Sequence, residues 1–281
     1  MNNKRLILFH ARDLDGKCSA AICMRKFPDA ECIGVDYGMN FPWDKVKNRH
    51  VIMVDYSLQP FELMRRIEEQ ALTFTWIDHH KSAIKDNQET PLRNTFSLLN
   101  SDFAGCELTW KYLFPNEVMP DTVHYLGRYD VWDHSDPDTM PFQYAAQSCL
   151  DDPEAGRWQI MLNPQCSPTL IQDFVDEGRV IIRFLKMDNE VRSRAYCFET
   201  EIDGYKALCA NARASSTWFE SKWDRAKYDV MLTFIRLPTG MWSCSVYSEG
   251  DVDCSVIAKN HGGGGHQRAA GFQCEELPFK I

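Results

Sequence analysis

No apolar run in this chain approaches the roughly 20 residues that a membrane-spanning helix needs, so a membrane partner is not expected. There is no CxxC pair, which excludes a zinc ribbon. The eleven cysteines are an odd, scattered set unlike a disulfide framework. A chain so rich in unpaired cysteine fits a reducing compartment, and the expected location is the cytoplasm. Cys23, Cys197 and Cys209 stand among apolar residues and read as core fillers. There is also no block of lysine or arginine. With 31 basic and 40 acidic residues the formal net charge is −9, the wrong sign for a protein that grips long duplex nucleic acid. Internal repeats and low-complexity segments are likewise missing. The N-terminal MNNKRLILFH runs straight into a polar cluster and reads as a first strand, not a secretion signal.

What remains is an ordinary globular composition, 44% hydrophobic and 25% charged over 281 residues, enough for a sizeable core and one or two domains. The first half alternates between strand and helix patterns. RLILFH (5–10), AECIGV (30–35), HVIMVDYS (50–57) and LTFTWID (72–78) read as strands, with helices expected at 17–27, after Pro60 and across 103–134. That alternation implies an α/β fold with a parallel sheet. Residues 168–194 carry the period of one long amphipathic helix. Beyond it YKALCA, YDVMLTFIRL and MWSCSVYS read as strands, with a helix at 253–260. The expected organisation is a first domain over 1–165, a connecting helix over 166–194 and a smaller α+β domain over 195–281. The tryptophans, Trp43, Trp132 and Trp242 among them, read as core and not as base platforms.

Four stretches bring carboxylates and imidazoles to the ends of apolar runs. They are His10-x-x-Asp13-x-Asp15, Asp55 in MVDYS, Asp78-His79-His80 and Asp130 in GRYDVWD. Taken singly, each aspartate reads as a turn residue or helix cap. Together, at the carboxyl ends of strands where parallel sheets hold their ligands, they read as a site. Mixed oxygen and imidazole donors suit manganese, iron or zinc; an all-oxygen set would suit magnesium or calcium.

In this order and direction DLDG, VDYS, DHH and the YDVWD aspartate resemble motifs I to IV of the DHH phosphoesterases. GGGGHQRAAG near the end resembles the signature of the DHHA1 domain that follows in many of them. The resemblance implies two divalent metal ions, most often manganese. His10 and Asp13 would hold the first, while Asp15, His79 and Asp130 would hold the second, with Asp55 bridging. Asp78 would orient a histidine, and His80 would face the substrate phosphate, which makes Asp78 and His80 the catalytic pair. Arg128, in the motif IV stretch, joins the substrate-binding set. Two divalent ions would balance the four carboxylates of Asp13, Asp15, Asp55 and Asp130 and would ionise a water near neutral pH.

The DHHA1-like part would supply a phosphate cradle from Gly263, Gly264 and Gly265 with His266 and Arg268, because glycines let backbone N–H groups approach an anion. A bulky residue at Gly264 is expected to disrupt it. Many relatives carry S-x-R-S on the preceding strand. Here Ser245-Val246-Tyr247-Ser248 stands there, so Tyr247 either stacks on a base or packs, and Asn211 and Arg213 are possible substitutes for the arginine. The expected activity is a metal-dependent phosphodiesterase that cuts short linear oligonucleotides, in particular dinucleotides such as pGpG or pApA, to mononucleotides. The rival readings are a single-strand exonuclease, a cyclic-dinucleotide phosphodiesterase, a pyrophosphatase-like hydrolase, and, in a different class, an inactive nucleotide sensor. Whether the chain forms a homodimer is left open.

Overall fold

The structure is a computed structural model that describes residues 5–163, 165, 168–265 and 267–281. The chain divides into two units, Met1–Ile181 and Ile182–Ile281. Among the described residues no helix is long and apolar enough to cross a membrane. The ten described cysteines are free thiols, with Cys23 and Cys209 buried and Cys197 half-buried.

In the first unit the elements run β1 (Leu6–His10), α1 (Leu14–Lys26), β2 (Glu31–Val35), α2 (Trp43–Val46), β3 (His50–Val54), α3 (Glu62–Gln70), β4 (Thr73–Asp78), α4 (Lys81–Glu89) and β5 (Thr95–Leu99). Helices α5 (Gly105–Leu113), α6 (Asp121–Asp130), α7 (Thr139–Cys149) and α8 (Gly156–Met161) follow. The strands form one fully parallel sheet in the order β2-β1-β3-β4-β5. Such sheets bury both faces, which is why β1 is buried at every position and reads as a continuous apolar run. The order reverses between β1 and β3, and this switch point opens a crevice at the carboxyl ends of those two strands.

Helix α1 begins one turn earlier than its apolar pattern suggests. Asp13 caps it, accepting a hydrogen bond from the Gly16 amide at 3.0 Å. Gly16 is required by packing: a Cβ there would lie 2.0 Å from the His10 carbonyl oxygen. The helical stretch expected across 103–134 forms two helices, α5 and α6, separated by a segment that contains Pro115 and Pro120. Strand β5 has an edge position and polar residues, so it left no apolar run to read.

Helix α9 (Pro168–Tyr196) is the long helix the pattern implied, and the division between the units falls within it. The second unit continues with β6 (Cys197–Ile202), β7 (Tyr205–Ala210), β8 (Val230–Arg236), β9 (Trp242–Tyr247), α10 (Cys254–Asn260), β10 (Gly264–Gly265) and β11 (Ala269–Cys274). Its mixed sheet runs β10-β11-β9-β8-β7-β6, with only β7 and β8 parallel. Its core joins Leu232, Phe234, Val246, Ile257 and Phe272. Trp43 and Trp242 each pack partly buried against the core of their own unit, as expected.

Candidate metal centre

The carboxyl ends of β1, β3 and β4 lie side by side in the sheet and deliver the first donors. His10 is the last residue of β1, Asp55 follows β3 and Asp78 ends β4. Asp55 is 1% exposed and has a left-handed backbone, φ +52°, while its amide still bonds the Ile77 carbonyl at 2.9 Å. This conformation carries a cost that aspartate tolerates better than most residues, and such strain collects at functional positions.

Around Asp55 the structure brings together every carboxylate and imidazole named from the first-half motifs. His10 Nδ1 lies 2.9 Å from Asp13 Oδ2 and 3.7 Å from Asp55 Oδ2. His79 Nε2 lies 3.1 Å from Asp55 Oδ1, 3.3 Å from Asp130 Oδ2 and 3.7 Å from Asp15 Oδ2. His80 Nδ1 lies 2.7 Å from Asp78 Oδ1 and 3.9 Å from Asp55 Oδ1. Three groups result in which donor atoms fall within 4.8 Å of one another: His10, Asp13 and Asp55; Asp15, His79 and Asp130; and Asp55, Asp78, His79 and His80. Among the described residues no donor meets Oδ1 of Asp55 or Oδ2 of Asp78 at good hydrogen-bond geometry, and both oxygens are buried. An orphaned buried carboxylate oxygen is costly unless a cation satisfies it, so the residues present fit metal binding.

Asp15 has a second task. Its two oxygens accept from the Gly105 and Cys106 amides, each at 2.7 Å, so it sits on the N-terminus of α5 where the helix dipole favours negative charge. Gly105 permits this approach; a Cβ there would lie 2.6 Å from the Asp55 Cβ and 2.9 Å from Asp15 Oδ2. Asp78 Oδ1 accepts from the His79 and His80 amides at 2.7 and 3.2 Å, which fixes the DHH turn.

Without cations the cluster retains protons. Burial disfavours a charged His10, but the neighbouring carboxylates of Asp13 and then Asp55 push its pKa up to about 10. Burial likewise opposes charge on His79, and Asp55 followed by Asp15 outweighs it, again raising the group to about 10. For His80 burial is overcome by Asp78, and the value is about 9. Burial and then Asp55 push Asp15 up to about 8, and burial with Asp15 pushes Asp130 to about 7. Asp13 moves the other way: burial would raise it, but its bond to His10 holds it below the usual range. These directions are those of a crowded anionic pocket in which protons take the place of cations.

Other expected residues have different surroundings. Arg128 is ion-paired with the buried Glu107 and lies 3.6 Å from Asp133, and Glu107 also accepts from the Ala104 amide at 3.0 Å. In the second unit the last two glycines of the run, Gly264 and Gly265, form the short strand β10 paired with β11. Gly263 and Gly265 are the constrained positions: a Cβ on Gly263 would lie 2.1 Å from the Gly271 oxygen, and Gly265 has φ +144°. A Cβ on Gly264 meets open space, so packing within the unit does not itself require a glycine there. The Arg268 guanidinium donates to the Gly250 carbonyl. Tyr247 packs, its hydroxyl donating to the Ala214 carbonyl at 3.0 Å. Asn211 and Arg213 are exposed. His266 lies outside the described residues.

Asp36, Gly105 and the exposure of Trp132 were not legible in the motifs. Asp36 follows β2 and places Oδ1 3.6 Å from His10 Nε2; its signal was the same strand-end aspartate pattern. Trp132 is 73% exposed, which overturns its assignment to the core. It stands just beyond α6, where Trp132 N bonds Tyr129 O at 3.1 Å and Asp133 N bonds Arg128 O at 2.8 Å. That is a Schellman closure whose left-handed position glycine normally fills. Here tryptophan fills it at φ +63°, at a cost of roughly 1–2 kcal/mol.

Residues 4–127 match the family model described as "DHH family, N-terminal domain". A curated relative, an uncharacterized protein of Acanthamoeba polyphaga mimivirus, is 26% identical over 247 residues, 82% of this chain and 54% of that protein. The chain thus spans about half the length of that relative. Among solved structures, the DHH domain of a member of the s1p family of ribosomal proteins superposes with a TM-score of 0.60 at 11% identity, covering 97% of this chain and 83% of that one. An exopolyphosphatase-related protein from Bacteroides fragilis gives 0.54 at 12% identity, covering 98% and 88%. At these identities the likeness is one of fold.

Proposed function

From the match of residues 4–127 to the DHH family N-terminal domain, we propose a metal-dependent phosphodiesterase that hydrolyses short linear oligonucleotides, dinucleotides such as pGpG or pApA foremost, to mononucleotides. The observation that supports this reading best is the sharing of Asp55 between donor groups at the switch point of the sheet. One ion would be held by His10 and Asp13 and a second by Asp15, His79 and Asp130, with Asp55 common to both. Bound there, two divalent cations supply Lewis-acid polarisation of a phosphate and neutralise its charge. The mixed carboxylate and imidazole donors suit manganese, iron or zinc, and manganese is the ion that the resemblance to the DHH phosphoesterases implies.

The remaining residues act on the substrate and on one another. Asp78 accepts from His80 Nδ1 at 2.7 Å, which leaves Nε2 to meet a phosphate oxygen and favours the charged imidazolium. Asp78 itself is held by two backbone amides and cannot turn away. The net charge of −9 disfavours a long polyanion outside the cluster and so favours the shortest substrates. The free cysteines support a reducing, cytoplasmic setting.

The test is a manganese-supplemented assay of the full chain on linear dinucleotides, cyclic dinucleotides, pyrophosphate and a single-stranded 24-mer. Turnover of the linear dinucleotide that a chelator abolishes is the expected result. Preference for pyrophosphate or for the 24-mer would overturn the substrate class.

A further inference from the structure

The geometry points to Trp132 as a stacking platform for a nucleobase of the substrate. This rests on the phosphodiesterase reading and deepens it by naming the residue that would hold a base. Three observations carry it. Trp132 is 73% exposed and occupies a left-handed position, so neither burial nor backbone preference explains an indole there. Residues that break a local rule without structural gain mark functional positions.

The second observation is location. Asp130, whose Oδ2 lies 3.3 Å from His79 Nε2, is the last residue of α6 and stands two positions before Trp132. Their Cα atoms are therefore within about 7 Å. The turn between them is pinned by amides bonding the carbonyls of Gly127, Tyr129 and Arg128, so the root of the indole is fixed relative to the donor cluster.

The third is the support behind the ring. His134 lies 4.6 Å from the Trp132 ring, and Tyr129 stacks on His134 at 5.5 Å. A ring already backed on one side loses little freedom when a base covers the other. Base–aromatic stacking tolerates any base, so the platform selects nucleotides as a class. An inorganic polyphosphate offers no ring for it to hold.

The experiment uses the full chain with Mn²⁺ and compares wild type, Trp132→Gly and Trp132→Phe on a linear dinucleotide and on an analogue lacking one base. Trp132→Gly should raise KM for the dinucleotide at least about tenfold, keep its bound metal, and melt at the same or a higher temperature, because glycine suits the turn. Trp132→Phe should stay within about threefold of wild type. The wild-type preference for the dinucleotide over the abasic analogue should collapse in the glycine variant. An unchanged KM in Trp132→Gly overturns the platform. So does loss of self-association with KM unchanged, which would assign the indole to a protein contact. Wild-type turnover tests the phosphodiesterase reading separately. If turnover is absent, calorimetric binding of the dinucleotide decides the platform, and equal binding, or none, by wild type and Trp132→Gly overturns it.

Discussion

Asp130 sets its proposed role as a metal ligand against stability. Its carboxyl is pushed up to about 7 by burial and by Asp15, so in the metal-free protein it is a poorly solvated acid beside like charges. Asp130→Asn should therefore lower turnover by at least about 10³-fold, through loss of a ligand charge. Melting of the chelated protein should be unchanged or slightly higher. Retention of a tenth of wild-type turnover would remove Asp130 from the metal set. Arg128 should behave in the opposite way. Its guanidinium pairs with Glu107, which is only 3% exposed, and removing one partner strands a buried charge. Arg128→Ala should cost roughly 3–5 kcal/mol in urea unfolding. A variant of normal stability with only a raised KM would return Arg128 to the substrate.

At the scale of elements, the site depends on how closely helices approach strand ends. Helix α1 packs its first turn against the His10 carbonyl, and only Gly16 leaves room. Gly16→Ala should push α1 away from β1, separate Asp13 and Asp15 from His10, and reduce both stability and bound manganese; overpacking of this kind costs about 1–3 kcal/mol. Normal metal content by elemental analysis would show that the helix can adapt. The glycine run gives an internal contrast. Gly264→Ala should shift stability by less than about 0.5 kcal/mol, whereas Gly265→Ala should cost more than about 1 kcal/mol, since its φ is +144° and a Cβ would meet the Ala270 backbone at 2.6 Å. Equal melting of the two variants would contradict the strand pairing seen at β10.

For the whole molecule, the raised values combine into one pH dependence. His10 and His79, near 10 in the fold, add stability that is complete below their unfolded value of 6.5 and is lost as pH rises through about 10. Asp15 and Asp130, near 8 and 7, also bind protons in the fold that the unfolded chain has released, so their effect has the same sign. Asp13, lowered, acts oppositely but only in the acid range. The melting temperature of chelated protein should fall from about pH 6 to about pH 9. Saturating manganese should raise it and flatten the slope, because cations replace the protons. A chelated protein whose melting rises over that interval would contradict the cluster's electrostatics.

The sequence by itself determined the chemistry of the cluster and the type of its scaffold. Strands β1, β3 and β4 were legible because a parallel sheet buries both faces, leaving apolar-rich runs that stop at His10, Asp55 and Asp78. Only the tertiary structure decided which donors share Asp55, since that follows from the strand order β2-β1-β3-β4-β5 and from the approach of α1 and α5 through Gly16 and Gly105. Strand β5 was invisible because an edge strand needs no apolar run, and the break between α5 and α6 was obscured by apolar residues at helical spacing on both sides. The exposure of Trp132 was equally hidden. An indole signals burial in any local reading, and only the left-handed closure after α6, a property of the folded backbone, turns it toward solvent beside Asp130.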